Sequence, residues 1–189
     1  MHIIFFQIFY DFKMKKTILA IALFTIFFTI SCDDNSVQPN AEVMSIEQLQ
    51  NLTGYAWIGT TMATYKPDST ILEEIKPLLD SNSQFFTIFT KSCGPCASSS
   101  QQFAEIIRIL QICNFPESHY QIMVMNSVSN THPYQEMIHI KTLPTVMLLK
   151  YNSPIYSLTD TLTKSIDLQL QYPVKSEELL LEALKVANK

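Results

Sequence analysis

The stretch QFFTIFTKSCGPC, from Gln84 to Cys96, decides the fold. Residues 84–90 are mostly aromatic and β-branched, which is typical of a buried strand. After Cys96, apolar residues recur at the spacing of one buried helix face, at Phe103, Ile106, Ile107 and Leu110. This pattern predicts a helix from about Cys96 to Ile112. Two cysteines three residues apart, Cys93 and Cys96, therefore lie where a strand leads into a helix.

This placement favours thiol chemistry at the two cysteines. On a first helical turn, residues i and i+3 share a face, so the sulfurs of Cys93 and Cys96 can approach disulfide distance. Cys93 faces the unpaired N–H groups of the helix, which stabilise a thiolate and lower its pKa. We therefore expect Cys93 to attack and the shielded Cys96 to resolve the mixed disulfide. Pro95 suits a first helical turn, where its missing N–H is not needed.

Two structural alternatives to a reactive pair stay open. The cysteines could form an inert disulfide, or they could form half of a zinc site. A zinc site would need a second cysteine pair, which the sequence does not contain.

The rest of the folded part alternates helices and strands. Ser45 to Gln48 and Thr70 to Glu73 fit capping boxes that open short helices, to Leu52 and toward Leu79. The other predicted elements are strands over residues 121–126, 145–149 and 155–158, a short helical segment from Pro133 to Ile140, and a last helix capped by Ser176 and ending at Ala187. This alternation predicts an α/β fold.

Cys-Gly-Pro-Cys after an aromatic strand resembles the thioredoxin family. A second landmark is Thr142-Leu143-Pro144-Thr145, which opens the apolar strand over residues 145–149 and is similar to the family's Ile-Pro-Thr segment. The resemblance covers about residues 68–189 and implies a thioredoxin-like fold, with a central mixed β-sheet flanked by helices. It also implies that Pro144 is cis and lies against the active-site disulfide, while the backbone of Leu143 meets the substrate. The alternative is a trans proline that only starts a strand.

The resemblance places the substrate-binding surface at Leu143 and Pro144 together with Gly94 and Pro95, the residues between the cysteines. The sequence also departs from the family. Lys91-Ser92 replaces a pair that ends in Trp, and Gln101 replaces a helix-kinking proline.

Two further departures concern Thr87 and the region before the last helix. Thr87 stands where thioredoxins have a buried acid below the second cysteine, so a proton acceptor for Cys96 is missing. Residues 159–175 look inserted, and they contain an alternating apolar pattern at Ile166, Leu168, Leu170 and Tyr172. These departures concern efficiency and partner choice rather than the fold.

A leader of secretory type precedes the folded part. Met14-Lys15-Lys16 is basic, and residues 17–30 carry no charge, a run too short to span a bilayer but suited to a signal-peptide core. Ser31-Cys32-Asp33-Asp34 resembles a bacterial lipobox, in which Cys32 receives lipid and becomes the N-terminus. The alternatives are an ordinary signal peptide that leaves Cys32 as a free thiol, and an uncleaved anchor that includes residues 3–10.

These features predict four segments: a lipoprotein-type signal peptide (1–31), a tether (32–42), an N-terminal extension (43–67) and a thioredoxin-like domain (68–189). The predicted location is the cell envelope, lipid-anchored to a membrane and facing the periplasm or the cell exterior. The 189 residues are 47% hydrophobic and 16% charged with a net charge of −4, which argues against a disordered or nucleic-acid-binding chain. The three glycines are too few for a Gly-rich phosphate loop.

The expected function is thiol–disulfide exchange with exported proteins, and the Gly-Pro pair between the cysteines resembles reducing family members. The expected partners are protein disulfides or dithiols, a membrane electron donor, and the lipid bilayer through Cys32. Neither a cofactor, a bound metal nor a nucleic acid is expected. Two other functions stay open: a module that holds Cu(I) through Cys93 and Cys96, and a non-catalytic interaction domain that keeps the fold.

Several other residues draw less specific expectations. Cys113, at the end of the apolar helix, is expected to act as a small buried hydrophobe. His119, His132 and His139 have no metal-ligand spacing and are expected in solvent or capping roles. The aromatic group of Tyr55, Trp57 and Tyr65 either covers the domain edge or lines a partner groove, and the sequence does not choose between these.

Overall fold

The computed structural model of the chain describes residues 40–91, 98–161 and 174–189. Several predicted features lie outside these residues: the leader with Cys32, the motif residues Cys93, Gly94, Pro95 and Cys96, and the alternating pattern over residues 166–172. The fold below is therefore that of the parts of the chain flanking the cysteine motif.

The described elements follow one another in a strand-and-helix order. The strands are β1 (Glu42–Met44), β2 (Gln84–Thr90), β3 (Tyr120–Val124), β4 (Thr145–Lys150) and β5 (Ser153–Ser157). The α-helices are α1 (Ile46–Gln50), α2 (Trp57–Thr64), α3 (Ser69–Ile75), α4 (Ser98–Ile112) and α5 (Ser176–Ala187). Short 3₁₀ turns cover Lys76–Leu78 and Glu117–His119.

The five strands form one mixed sheet in the order β1-β3-β2-β4-β5. Strands β2 and β3 are parallel, whereas β1 with β3, β2 with β4 and β4 with β5 are antiparallel. The crossover from β2 to β3 runs through α4, as a parallel pair requires. The predicted α/β class with a mixed sheet and flanking helices is confirmed.

The two faces of the sheet are covered in different ways. Alternate residues of β2, such as Phe86 and Ile88, point into a main core that they share with the buried faces of the helices. The other face, which includes Phe89, forms a smaller core with Met123, Met125, Ile138 and Leu149. The cover of this smaller core includes Tyr134, Ile140 and Leu143, from the connection between β3 and β4. We call residues 131–144 the connecting segment.

The predicted helix face after the cysteine motif is confirmed. Helix α4 begins at Ser98 and ends at Ile112, and the four predicted apolar residues are at most 1% exposed: Phe103, Ile106, Ile107 and Leu110. Complete burial of such side chains contributes roughly 1.5–3 kcal/mol each. The strand predicted over residues 84–90 is also confirmed as β2.

The segment predicted as an N-terminal extension contributes to the same sheet and core. Strand β1 pairs with β3, and five residues of the segment are buried in the main core: Ile46, Leu49, Tyr55, Ile58 and Met62. Asn40 already bridges to Thr131, and the N–H of Ala41 donates to the Thr131 carbonyl oxygen at 2.8 Å. The end of the predicted tether is therefore also part of the fold.

The first predicted capping box is confirmed and the second is wrong. The Ser45 hydroxyl accepts from the Gln48 N–H at 3.1 Å, and the Gln48 side chain accepts from the Ser45 N–H at 2.9 Å. At the next helix the cap is Asp68, whose carboxylate accepts from the Thr70 N–H at 2.8 Å. Because the Asp68 carboxylate already binds the free N–H group of Thr70, Asp68 is the cap and Thr70 lies inside the helix.

One other predicted helix and one other predicted helix cap are also wrong. Residues 133–137 form turns, and the predicted helix from Pro133 to Ile140 does not form. The Ile138 N–H donates to the Tyr134 carbonyl oxygen at 2.8 Å, which closes one turn that does not continue. At α5 the N-cap residue is Lys175 and not Ser176. The Ser176 hydroxyl instead donates a hydrogen bond to the Glu105 carboxylate at 2.5 Å.

Within the parts of the chain that the structure describes, no helix has both the length and the apolar character needed to cross a membrane.

Candidate functional site

The register of β2 and β4 brings the two predicted landmarks to the same end of the sheet. Phe89 lies opposite Thr145, so Pro144, one residue earlier, is level with Thr90 at the end of β2. Neighbouring strands lie roughly 4.8 Å apart. Lys91 is the next residue along the chain, and it leads directly into the cysteine motif. The Leu143–Pro144 peptide therefore lies beside the point where β2 runs into residues 92–97.

The described flanks of the cysteine motif match the expected strand-to-helix order. β2 ends at Thr90, and α4 begins at Ser98, two residues after Cys96. Lys91 is exposed and forms no ion pair with any residue of the described ranges. The predicted site residues Cys93, Gly94, Pro95 and Cys96 themselves lie outside the described residues.

The segment before β4 carries the other predicted site residues. The Leu143–Pro144 peptide bond is cis, in agreement with the conformation that the resemblance implies. Pro144 is buried, and Leu143 is half-buried against the smaller core. The Thr145 hydroxyl donates to the Thr142 carbonyl oxygen at 2.7 Å and closes the turn around the proline. Leu143 is thereby held at the surface, next to the exposed Thr142.

Thr87, which the resemblance places where thioredoxins have a buried acid, is fully buried in the centre of the sheet. It pairs with Gln121 on β3 and with Met147 on β4. Its hydroxyl has no hydrogen-bond partner among the described residues. A threonine hydroxyl does not titrate in the physiological range, so this position supplies no proton acceptor.

His132 lies where the connecting segment leaves the end of β3. Its ring packs edge-on against Phe89, with the ring centroids 4.8 Å apart. Its Nδ1 atom accepts a hydrogen bond from the Tyr134 N–H at 3.3 Å, which is the capping role expected for a histidine. The side chain is only 9% exposed, and this burial lowers the pKa of the imidazole below its ordinary value of 6.5.

The aromatic group at residues 55–65 has structural roles. Tyr55 is fully buried in the main core, and Trp57 packs edge-on against Phe103 at 5.5 Å. The Tyr65 hydroxyl donates to the Glu177 carboxylate near the start of α5. Burial first, and then the negative charge of Glu177, raises the pKa of Tyr65 well above its usual range. Trp57 therefore packs α2 against α4, and Tyr65 binds the chain after α2 to the start of α5.

The link from Tyr65 to Glu177 borders a cavity of about 530 Å³ between α4 and the start of α5. Its lining includes Gln102 and Glu105 of α4, and the Gln102 side chain donates to the Val174 carbonyl oxygen at 3.3 Å. Sequence reasoning missed this network, because its partners are more than 70 residues apart in the chain. The polar groups of these side chains bind one another, so the network serves to fix α4 against α5.

The remaining predicted candidates are inert in the structure. Cys113 is a free, half-buried cysteine, and burial raises the pKa of its thiol. His119 is half-buried against the Phe115 ring next to Ser118, and His139 is exposed on the connecting segment. Across residues 40–91, 98–161 and 174–189, no three His, Cys, Asp or Glu side chains cluster in a way that could hold a metal ion.

Comparison with known proteins adds no relative: no protein-family model, no curated protein and no solved structure matches the chain.

Proposed function

We propose that the protein is a thioredoxin-like thiol–disulfide oxidoreductase that reduces disulfides of exported proteins. The observation that carries the proposal is the position of the Leu143–Pro144 peptide beside the end of β2. The chain leaves that end of the sheet through Lys91 into Cys-Gly-Pro-Cys, and the described part of α4 starts two residues after Cys96. A reactive pair and a peptide-binding edge at one end of a sheet are what disulfide exchange with a protein requires.

The proposed reaction starts with the Cys93 thiolate. Cys93 attacks one sulfur of the substrate disulfide, the substrate S–S bond breaks, and the departing substrate thiolate takes up a proton. The Cys96 thiolate then attacks the Cys93 sulfur of the mixed disulfide. The second substrate thiol leaves, and a Cys93–Cys96 disulfide forms. Two electrons have passed to the substrate, and a dithiol donor at the membrane must return two electrons to the pair.

The features around the pair assign different roles to the two cysteines. The N-terminus of a helix stabilises a thiolate there, which favours Cys93 as the attacking sulfur. Thr87 of β2 stands where thioredoxins have a buried acid. In our proposal the proton of Cys96 therefore passes to water or to the departing substrate thiolate. The exposed backbone around Leu143 binds the substrate segment that carries the disulfide.

The proposed location follows from the leader and Cys32. A lipid on Cys32 would hold the protein at a membrane, facing the periplasm or the cell exterior. Disulfides persist in these oxidising compartments, so protein substrates for a reductase are present there.

The proposal is tested by trapping the mixed disulfide. The full-length Cys96→Ser variant is reduced and mixed with a disulfide-bonded peptide, and the products are mapped by mass. We expect one covalent adduct at Cys93 that a reductant releases. Adding Cys93→Ser to the Cys96→Ser chain should abolish the adduct, whereas adding Cys113→Ser to the same chain should leave it unchanged.

Two results would contradict the proposal. One is an adduct that persists when Cys93→Ser is added to the Cys96→Ser chain, and the other is failure of the Cys96→Ser variant to form any adduct. Stoichiometric Cu(I) binding that is lost in Cys93→Ser would then favour a metal-binding module. Retention of a partner protein without disulfide turnover would favour a non-catalytic interaction domain.

A further inference from the structure

His132 and the residue before it, Thr131, link the start of the connecting segment to β2 and to the N-terminal part of the described chain. Its ring packs against Phe89, the residue of β2 that lies opposite Thr145. The preceding residue, Thr131, accepts the Ala41 N–H through its carbonyl oxygen at 2.8 Å. The Nδ1 atom of His132 accepts a hydrogen bond from the Tyr134 N–H. His132 therefore fastens the start of the connecting segment, and the end of that segment is the Leu143–Pro144 peptide.

The Tyr134 contact requires a neutral imidazole. Nδ1 can accept a hydrogen bond only while it carries no proton, so in this geometry the proton sits on Nε2. Protonation of Nδ1 would set an N–H against the Tyr134 N–H and would place a charge in a site that is 9% exposed. Both effects oppose the packed arrangement of the segment.

No charged group among the described residues stabilises the protonated form of His132. From β2, the side chain that faces His132 is Phe89, which does not titrate. From the segment itself, Tyr134 contacts the ring through its backbone N–H, and its hydroxyl accepts a hydrogen bond from the Gln121 side chain at 2.7 Å. Burial is the sole cause of the lowered pKa of His132, so no carboxylate of the described residues stabilises its charged form.

We propose that neutral His132 is a positioning residue, which holds the connecting segment against the sheet and so keeps Leu143 and Pro144 at the candidate site, and that its protonation releases the segment. The consequence for disulfide exchange rests on the function proposed above. The consequence for the segment does not, because it depends only on contacts among described residues.

The sign of the pH effect follows from the direction of the pKa change. A histidine whose folded-state pKa is lowered contributes stability that is complete above the unfolded value, about 6.5. That contribution is lost as the pH falls through the lower folded value. The segment should therefore be held tightly at neutral pH and loosen in mildly acidic solution.

The test measures amide hydrogen exchange of residues 134–143 in the full-length chain between pH 7.5 and 5, corrected for the intrinsic pH dependence of exchange. The key variant is His132→Asn, whose side-chain oxygen can replace Nδ1 as the acceptor but does not titrate. We expect the opening of the segment in the parent chain to increase by up to about tenfold per pH unit as the pH falls from about 6.5 toward the lower folded-state pKa, and to level off below it. His132→Asn should show no such increase. His139→Asn, on the exposed part of the same segment, should behave like the parent.

A second measurement keeps the test decisive if His132→Asn does not fold. The imidazole of His132 is titrated by NMR in the parent chain, and its pKa is compared with the pH at which segment opening levels off. Agreement of the two values supports the proposal. Disagreement, or equal pH dependence in the parent and in a folded His132→Asn chain, overturns it.

A parallel assay separates this inference from the proposed function. Peptide-disulfide reduction is measured on the same three chains, and the parent should lose activity relative to His132→Asn as the pH falls. Segment opening without any disulfide turnover would contradict the proposed function and support the role of His132. Turnover without segment opening would do the reverse.

Discussion

Phe89 on β2 and Thr145 on β4 lie directly opposite each other on neighbouring antiparallel strands. This pairing sets Pro144 level with the end of β2 and therefore beside the chain that enters the cysteine motif. A register shifted by one residue would turn each side chain of β4 to the other face of the sheet. Phe89 also contacts His132, so one residue relates the start of the connecting segment to its end. The position of the candidate site is thus determined by core packing.

The first prediction concerns the unpartnered hydroxyl of Thr87. A buried hydroxyl without a hydrogen bond destabilises a fold by about 1–3 kcal/mol, and valine has nearly the same shape. We expect Thr87→Val to raise the free energy of unfolding by about 1 kcal/mol in urea denaturation. Thr145→Val is the matched control, because that hydroxyl donates to Thr142. It should lower stability by a similar amount.

A loss of stability in Thr87→Val equal to that in Thr145→Val would contradict this account. The Thr87 hydroxyl would then have a hydrogen-bond partner in a part of the chain outside the described residues.

The second prediction concerns the link between Tyr65 and Glu177. Tyr65→Phe removes the donor to a carboxylate that is only 3% exposed, and should lower the free energy of unfolding by about 1–2 kcal/mol. Tyr151→Phe, at a side chain that is 75% exposed, should have no effect. Urea denaturation at pH 7 checks both variants, and equal stability of the two would contradict the role of the link.

The same tyrosine predicts a loss of stability in alkaline solution. Because the folded-state pKa of Tyr65 is raised, its contribution is complete below the unfolded value of about 10 and is lost progressively above it. Thermal unfolding between pH 9 and 11 should show a decline in melting temperature that is smaller in Tyr65→Phe. Identical declines in the two chains would mean that other groups cause the alkaline effect.

The third prediction concerns Cys113. Its half-buried position raises the pKa of the thiol, so little thiolate is present at pH 7.5. We expect iodoacetamide to modify Cys113 at least about tenfold more slowly in the native chain than in urea, as measured by peptide mass. Native modification as fast as in urea would show that Cys113 is a reactive thiol.

The sequence predicted the central strand and the helix after it because their signals are local. Residues 84–90 are apolar on both faces of a central strand, and the spacing from Phe103 to Leu110 marks a single helix face. The capping box at Ser45 is likewise complete within four residues. Such patterns need no knowledge of the rest of the fold.

The failures arose where a distant contact or a neighbouring cap decides the structure. Tyr134 turns toward Gln121 in the sheet, and the turn after Pro133 ends there rather than continuing as a helix. Ser176 bonds to Glu105, 71 residues earlier, instead of capping α5. Helix α2 was not predicted, because Ala56 precedes it without a side-chain cap. For His132 the sequence predicted only a solvent or capping role, because its contact with Phe89 crosses the fold.

The measurement that tests the central claim most directly is a redox titration of the full-length chain in thiol buffers of stepped potential. After each step, the free cysteines are alkylated under denaturing conditions and located by mass. Our account predicts that Cys93 and Cys96 become protected together in one reversible two-electron step, at a low potential if the protein is a reductase, while Cys113 stays free throughout. If no Cys93–Cys96 disulfide forms at any potential, the oxidoreductase proposal is wrong.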